Sequence, residues 1–472
     1  MAKITAYGAA QEVTGSKHLL DTGESRILVD CGVFQGHREE ARRKNTEFPF
    51  PAGSLSSAVN THGHLDHCGL YPLLVKQGFL GDILATPATR DIAGLVMLDS
   101  AKIQAQDARF IEKRNRKDPQ PWRKVVPPLY GSRDVECALQ QYVTVSYRRP
   151  FRLTQDTSVT FYDAGHILGS SLVHFEVQTP GAREPLSVGF TGDLGRKDLP
   201  IIRDPEFLPP LDYLVCESTY GDRLHDDMAF AEEELAQVIR ETVAKGGRVI
   251  IPTFAVERTQ EIIYHLHRLT DAGRIPRLPV FVDSPMAVAA TAIFKAHPEC
   301  FDAETHEQFL DEGQSPFAFE KLTYVTDSEE SKKINQMLGP CVILASSGMC
   351  EGGRILHHLI HGVGDSRNTI LVVGFMAENT LGRMLADKRP EVKIFGERYS
   401  VKARVKILNA FSAHADYREI GRWVGHLDAA RLKGVFLVHG EPAAQAHLAE
   451  YLRSLGVRKV EALRAGVPVE LA

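Results

Sequence analysis

The chain has 472 residues, 43% of them hydrophobic and 24% charged, and a formal net charge of −5. That length exceeds what one hydrophobic core organises, so two or more globular domains are expected. No apolar run is long enough to span a membrane and residues 1–7 lack the apolar stretch of a signal peptide, so a cytoplasmic protein that does not enter the membrane is expected.

In chain order, Arg26-Ile-Leu-Val-Asp30 reads as a buried strand that ends in a carboxylate and runs into a loop at Gly32. Ser57-Ala-Val-Asn-Thr61 is a second strand, leading straight into a cluster of histidines. Ser158-Val-Thr-Phe-Tyr-Asp163 and Leu186-Ser-Val-Gly-Phe-Thr191 repeat the arrangement. In each a strand delivers a polar group at its C-terminal end, where layered α/β enzymes place their sites. From about residue 211 the pattern becomes strand–helix alternation. Leu214-Val-Cys-Glu217, Val249-Ile-Ile251, Val280-Phe-Val-Asp283, Val342-Ile-Leu-Ala345 and Ile370-Leu-Val-Val-Gly374 are strands, with helices over 231–244 and 259–269. Such alternation predicts a parallel sheet covered on both faces. Near residue 395 the short-strand style returns. The expected organisation is a first domain in two parts, 1–210 and 395–472, with an α/β domain inserted over 211–394.

The seven cysteines are odd in number, spread along the chain and without a C-x-x-C pair, which argues against a cysteine zinc knuckle and a disulfide framework. Histidine is a different matter. Thr61-His62-Gly-His64-Leu-Asp66-His67 places three imidazoles and a carboxylate within six residues. Zinc takes these donors, and a catalytic zinc keeps a position open for water. On an extended segment His62 and His64 point the same way and can reach one metal ion. A helix starting near Asp66 turns Asp66 and His67 toward a second. Further donors follow strands downstream: His166, Asp193 and His439.

H-x-H-x-D-H resembles the signature of the metallo-β-lactamase superfamily. Glu217-Ser-Thr-Tyr-Gly221, Ser412-Ala-His414-Ala-Asp-Tyr417 and His439-Gly-Glu441 are similar to motifs A, B and C of its β-CASP nuclease branch. The resemblance runs from Gly8-Ala-Ala-Gln-Glu-Val-Thr-Gly-Ser16 to His439-Gly-Glu441, and it points to prokaryotic homologues of the polyadenylation cleavage endonuclease. It implies a metallo-β-lactamase αββα sandwich with an inserted β-CASP domain of parallel-sheet type. It implies two Zn2+ ions, the first on His62, His64 and His166, the second on Asp66, His67 and His439, with Asp193 bridging and Asp30 orienting ligands. A hydroxide bridging the ions would attack phosphorus in single-stranded RNA. His414 would be the general acid, held by Glu217, and with Asp66 these residues carry the catalysis. Endonuclease action with added 5′-to-3′ exonuclease capacity is expected, and the resemblance admits a homodimer. The extent of the chain points to the shorter bacterial type.

Departures from the family pattern are Gly63, where Ala is usual, and Glu257 and Asn379, where Gly is common. Ser347, Gly348, Gly352, Gly353 and Arg354 could cradle a substrate phosphate. Arg383 and Arg258 are of similar standing. His357, His358 and His361 read as a helix face, and Cys68 as a packed thiol. Lys113-Arg-Asn-Arg-Lys117 and Arg123-Lys124 form a basic stretch that reads as a solvated helix face or an RNA path. Two other functions compete. A hydrolase of small esters or thioesters shares the metal site but needs neither His414 nor an inserted domain. A non-catalytic RNA-binding scaffold predicts missing ligands, and all seven are present.

Overall fold

The computed structural model describes every residue except 37, 121–123, 180, 226–227, 375, 378 and 409–410, with backbone alone at 38, 228 and 229. Arg123, in the basic stretch named above, lies outside the described residues. Contacts divide the chain into two units, Met1–Leu224 with Ala413–Ala472, and His225–Ser412.

The first unit is built on two seven-stranded sheets. In space, one runs Val469–Leu471, Ala2–Gly8, Lys17–Asp21, Arg26–Val29, Ser57–Val59, Ile83–Ala85, Tyr142–Thr144. It is antiparallel up to Arg26–Val29 and parallel beyond. The other runs Val460–Ala462, Gly434–Leu437, Tyr213–Cys216, Leu186–Phe190, Ser171–Val177, Thr157–Asp163, Phe151–Arg152, with parallel pairing confined to the first four. Alternation along each strand explains the layering. Val173 and Phe175 join Ile4, Leu20, Ile27, Val59 and Phe161 in one core cluster, while Leu172 falls in another. That second cluster packs Leu214, Val435 and Leu437 against Trp423, Leu448 and Leu452 of the helices Tyr417–Val424 and Pro442–Ser454. The helix Ser132–Gln140 packs on both Tyr71–Lys76 and Pro87–Lys117 within the same unit.

The second unit holds a fully parallel six-stranded sheet in the order Leu322–Tyr324, Val280–Val282, Val342–Ala345, Val249–Pro252, Thr369–Val372, Arg404–Ile407. This is the inserted parallel α/β domain that strand–helix alternation predicts.

Its limits differ from those expected. Tyr213–Cys216 pairs between Leu186–Phe190 and Gly434–Leu437 and so belongs to the first unit, although it was expected to open the inserted domain. At the other end, the hairpin Glu391–Ile394/Glu397–Ser400 and the edge strand Arg404–Ile407 belong to the second unit. The divisions fall after 224 and 412 where 210 and 394 were expected. The short strands near 395 are edge pieces of the inserted unit. Among the described residues, no helix is long and apolar enough to cross a membrane. All seven cysteines are free thiols, six of them buried.

Candidate metal centre

Most of the donors sit just past a strand's C-terminal end. Asp30 follows Arg26–Val29, His62 follows Ser57–Val59, His166 follows Thr157–Asp163, and Asp193 follows Leu186–Phe190. Glu217 follows Tyr213–Cys216 and His439 follows Gly434–Leu437. A short helix, Leu65–Cys68, begins immediately after His64 and turns Asp66 and His67 inward. Gly32 makes room for it. A Cβ there would lie 1.5 Å from the Asp66 carbonyl oxygen, which also accepts the Ser16 N–H at 2.8 Å. Gly32→Ala therefore pushes the Asp66–His67 turn out of place. A loss of stability of about 1–3 kcal/mol is expected, read by denaturant titration, together with weaker metal binding.

The seven donors converge in two sets. His62 Nε2 faces His64 Nδ1 at 3.1 Å, and His64 Nδ1 faces His166 Nε2 at 3.3 Å. His67 Nε2 faces His439 Nε2 at 3.1 Å, and His439 Nε2 lies 3.6 Å from Asp66 Oδ2. Asp193 stands between them. Its Oδ2 is 3.4 Å from His62 Nε2 and 3.5 Å from His166 Nε2, while its Oδ1 is 3.3 Å from His67 Nε2. Thus His62, His64, His166 and Asp193 form one group and Asp66, His67 and His439 the other.

Electrostatics tests whether these groups suit a metal. Desolvation holds the His62 and His166 imidazoles below their usual range, aided by His67 and His414 respectively, and burial with His62 nearby brings His64 down to about 3. Burial thus favours the neutral rings, whose nitrogens crowd together at 3.1 and 3.3 Å, an arrangement that suits a cation among them. His67 goes the other way. Burial opposes its charge, but Asp193 and Asp30 outweigh it and lift its pKa well above normal, so positive charge is favoured where its Nε2 points. Asp193 Oδ1 and His166 Nδ1 are buried without a hydrogen-bond partner among the described residues. The donor set fits divalent cations bound by imidazole and carboxylate.

The outward nitrogens of three rings are fixed from behind. His62 Nδ1 meets Thr61 Oγ1 at 3.0 Å, His67 Nδ1 meets Asp30 Oδ2 at 2.7 Å, and His439 Nδ1 meets Thr219 Oγ1 at 3.0 Å. Asp30 also accepts from the Thr61 N–H at 2.8 Å and the Thr61 hydroxyl at 3.0 Å. Asp30 and His439 both hold a positive φ, 62° and 51°, a conformation costly for non-glycine residues and typical of constrained sites. Sequence reasoning found Asp30 but missed Thr61 and Thr219. The only signal for either was its place beside a motif residue. Asp30→Asn is expected to weaken metal binding about 10–100-fold, measured by competition with a chromogenic chelator.

His414 flanks the centre. Its Nδ1 is 3.1 Å from Glu217 Oε1, its ring centroid is 4.6 Å from that of His166, and its side chain is 21% exposed. Glu217 is fully buried and pinned by the Leu194 N–H on Oε1 at 2.7 Å and the Thr219 N–H on Oε2 at 3.2 Å. Desolvation disfavours the imidazolium, yet Glu217, with Asp193 and Asp66 behind it, raises His414 to about 9. The fixed carboxylate takes Nδ1–H and leaves Nε2 for other work.

The expected phosphate contacts, all in the second unit, fare differently. Arg354 was expected to face a phosphate. Instead its guanidinium is bound to Asp283 Oδ1 and the carbonyls of Val325 and Thr326. Asp283 is fully buried and also binds His358 Nε2 at 2.6 Å and Ser331 Oγ at 2.5 Å, so this is an internal network. His358 is accordingly a packed helix residue of Ile355–Gly362. Arg258 is likewise bound, to Glu261. The Ser347 hydroxyl accepts the N–H groups of Glu351 and Gly352 at 3.1 and 3.3 Å, and Gly348 lies under the Phe254 ring. Arg383 is exposed and donates to Asp387 at 2.9 Å. Phe375 and Glu378 of that segment lie outside the described residues. Cys68 is buried, its thiol 3.5 Å from the Gly63 carbonyl.

The departures from the family pattern have local reasons. A Cβ at Gly63 would lie 2.4 Å from Ile92 Cγ2, so the isoleucine fills the space of the usual alanine methyl. Glu257 and Asn379 hold φ of 69° and 63°, the region in which glycine carries no penalty.

Three family profiles match the chain: "Metallo-beta-lactamase superfamily" over residues 14–131, "Beta-Casp domain" over 259–385, and "Zn-dependent metallo-hydrolase RNA specificity domain" over 398–463. Ribonuclease TTHA0252 of Thermus thermophilus is 37% identical over 99% of this chain and 100% of its own. The transcription termination factor FttA of Methanosarcina mazei is 34% identical over 95% of this chain and 68% of its own. A crystal structure of a protein of unknown function from Enterococcus faecalis superposes with a TM-score of 0.52 at 11% identity, covering 99% of both chains, and shares the fold.

Proposed function

Because the chain belongs to the β-CASP branch of the metallo-β-lactamase superfamily, we propose that it is a two-zinc ribonuclease hydrolysing RNA phosphodiesters, chiefly within the strand and also from the 5′ end. The observation that carries this reading is the meeting of seven donors in two sets that share Asp193, with the His414–Glu217 pair alongside.

His62 Nε2, His64 Nδ1 and His166 Nε2 would hold one ion, Asp66, His67 and His439 the other, and Asp193 one oxygen on each. The ions would supply Lewis acidity, acidifying a water for attack and offsetting charge on the phosphoryl oxygens. Five imidazoles with two carboxylates favour zinc over magnesium or calcium, which prefer all-oxygen sites. The protein's own part is proton handling. In-line hydrolysis breaks the bond from phosphorus to O3′, and that oxygen must leave with a proton. Glu217 favours the protonated His414 ring and takes its Nδ1–H, so that Nε2–H would be the donor. The products have a 5′-phosphate and a 3′-hydroxyl. Since the 2′-hydroxyl takes no part in the attack, preference for RNA rests on contacts to the ribose. The relative named as a ribonuclease, matched along its whole length, supports the RNA assignment.

RNA labelled at either end, incubated with the protein with and without chelator, tests this. Internal fragments whose formation stops on chelation are expected, with mononucleotides from the 5′ side as a slower product. Cutting that persists in chelator, or equal cutting of the same sequence as single-stranded DNA, contradicts the reading.

A further inference from the structure

The helix Pro87–Lys117 begins packed and ends exposed. In its second half Ala101 and Ala108 are buried and Gln104, Ile111 and Asn115 half-buried. At 3.6 residues per turn these five share one side. The opposite side carries Arg109, Lys113, Arg116 and Lys117, all exposed, with Phe110 62% and Ile103 50% exposed beside them. Asp107 and Glu112 fall at the margins of that side, so the charges are segregated and not interleaved. A solvated face normally alternates its signs, and elsewhere surface arginines do pair: Arg148 with Glu206, Arg240 with Glu233, Arg398 with Glu391. Among the described residues the four cations here make no ion pair. Stabilisation of a helix C-terminus accounts for Arg116 and Lys117 but not for Arg109 and Lys113, which precede the last turn.

We propose that this exposed helix end is an accessory RNA-binding arm, with the four cations on phosphates and Phe110 offering a face to an unstacked base. The inference rests on the ribonuclease reading, and it explains how a chain of net charge −5 gathers a polyanion. The chemistry fits single-stranded RNA: four cations spaced over about 12 Å of helix, with an aromatic ring among them. Two apolar side chains are too few to anchor the helix in a lipid interface.

Binding is measured by anisotropy of a fluorescein-labelled 30-nucleotide RNA across a salt series, with His414→Ala as background and the RNA checked on a gel to be intact. With Arg109, Lys113, Arg116 and Lys117 all changed to Ala, affinity is expected to fall about tenfold or more. The slope of log affinity against log salt should become shallower by about 2–3, as four single-strand phosphate contacts require. Alanine preserves the helix, and swapping each Lys for Arg and each Arg for Lys should keep affinity and slope. Phe110→Ala should cost about fivefold or more on single strands. Equal affinity and slope in the four-alanine variant, while the wild-type protein cuts RNA, overturns the arm alone. Loss of binding to anionic vesicles with RNA binding intact overturns it in favour of a membrane. A wild-type protein that neither binds nor cuts RNA overturns the arm together with the ribonuclease reading.

Discussion

Asp193→Ala is expected to lower RNA cleavage by roughly 10³-fold or more and to leave the purified protein with fewer than two bound metal ions. The reason is geometric. Asp193 is the one carboxylate with an oxygen toward each set, Oδ2 toward His62 and His166 and Oδ1 toward His67. On the two-ion reading proposed above, its removal would take a ligand from both ions and the charge that would hold them close. Each histidine replaced singly removes a ligand from one set only. Elemental analysis of the variant beside the wild type decides the point: an unchanged metal content with undiminished cutting is incompatible with a bridging role. Asp193→Asn, which keeps the shape but not the charge, should fall nearly as far and so separates electrostatics from packing.

His414→Ala should slow cleavage by about 10²–10⁴-fold with metal content unchanged, the range for loss of a positioned general acid. Glu217→Gln should act through His414. It removes the charge that holds the ring protonated while leaving a group that can still bond, so its loss should be smaller. If Glu217 works only by orienting His414, the double variant His414→Ala/Glu217→Gln should be no slower than His414→Ala alone. Additive losses would mean that Glu217 has a separate task. Asp193, Glu217 and His414 also converge closely enough to resemble a third ligand group. Unchanged metal content in His414→Ala argues for proton transfer, and a lost ion argues for ligation.

How far the centre was legible in the sequence follows from the distances over which its parts pair. His62, His64, Asp66 and His67 declare themselves because strand and helix periodicity acts within six residues, and the structure brings all four inward. His166, Asp193 and His439 are legible as strand-end residues, though only family likeness allots them to sets. Thr61 and Thr219 were invisible. A threonine gains meaning when its hydroxyl meets a ring, and for Thr219 that ring is 220 residues away. Arg354 misled for the same reason. A glycine-rich turn before an arginine resembles a phosphate cradle, and the acid that claims this guanidinium, Asp283, lies 71 residues earlier in the sequence. Tyr213–Cys216 was assigned to the inserted unit because strand–helix alternation looks alike in both units. Its parallel pairing with Gly434–Leu437 is a tertiary fact that periodicity does not carry.

Metal stoichiometry measured together with cleavage is the most direct test of the central claim. The protein is stripped with chelator, titrated with zinc, and assayed on RNA at each step. The account predicts no cutting by the stripped protein, two zinc ions bound per chain at saturation, and activity that follows occupancy of the second. Full cutting by metal-free protein, or saturation without any bound zinc, would contradict it.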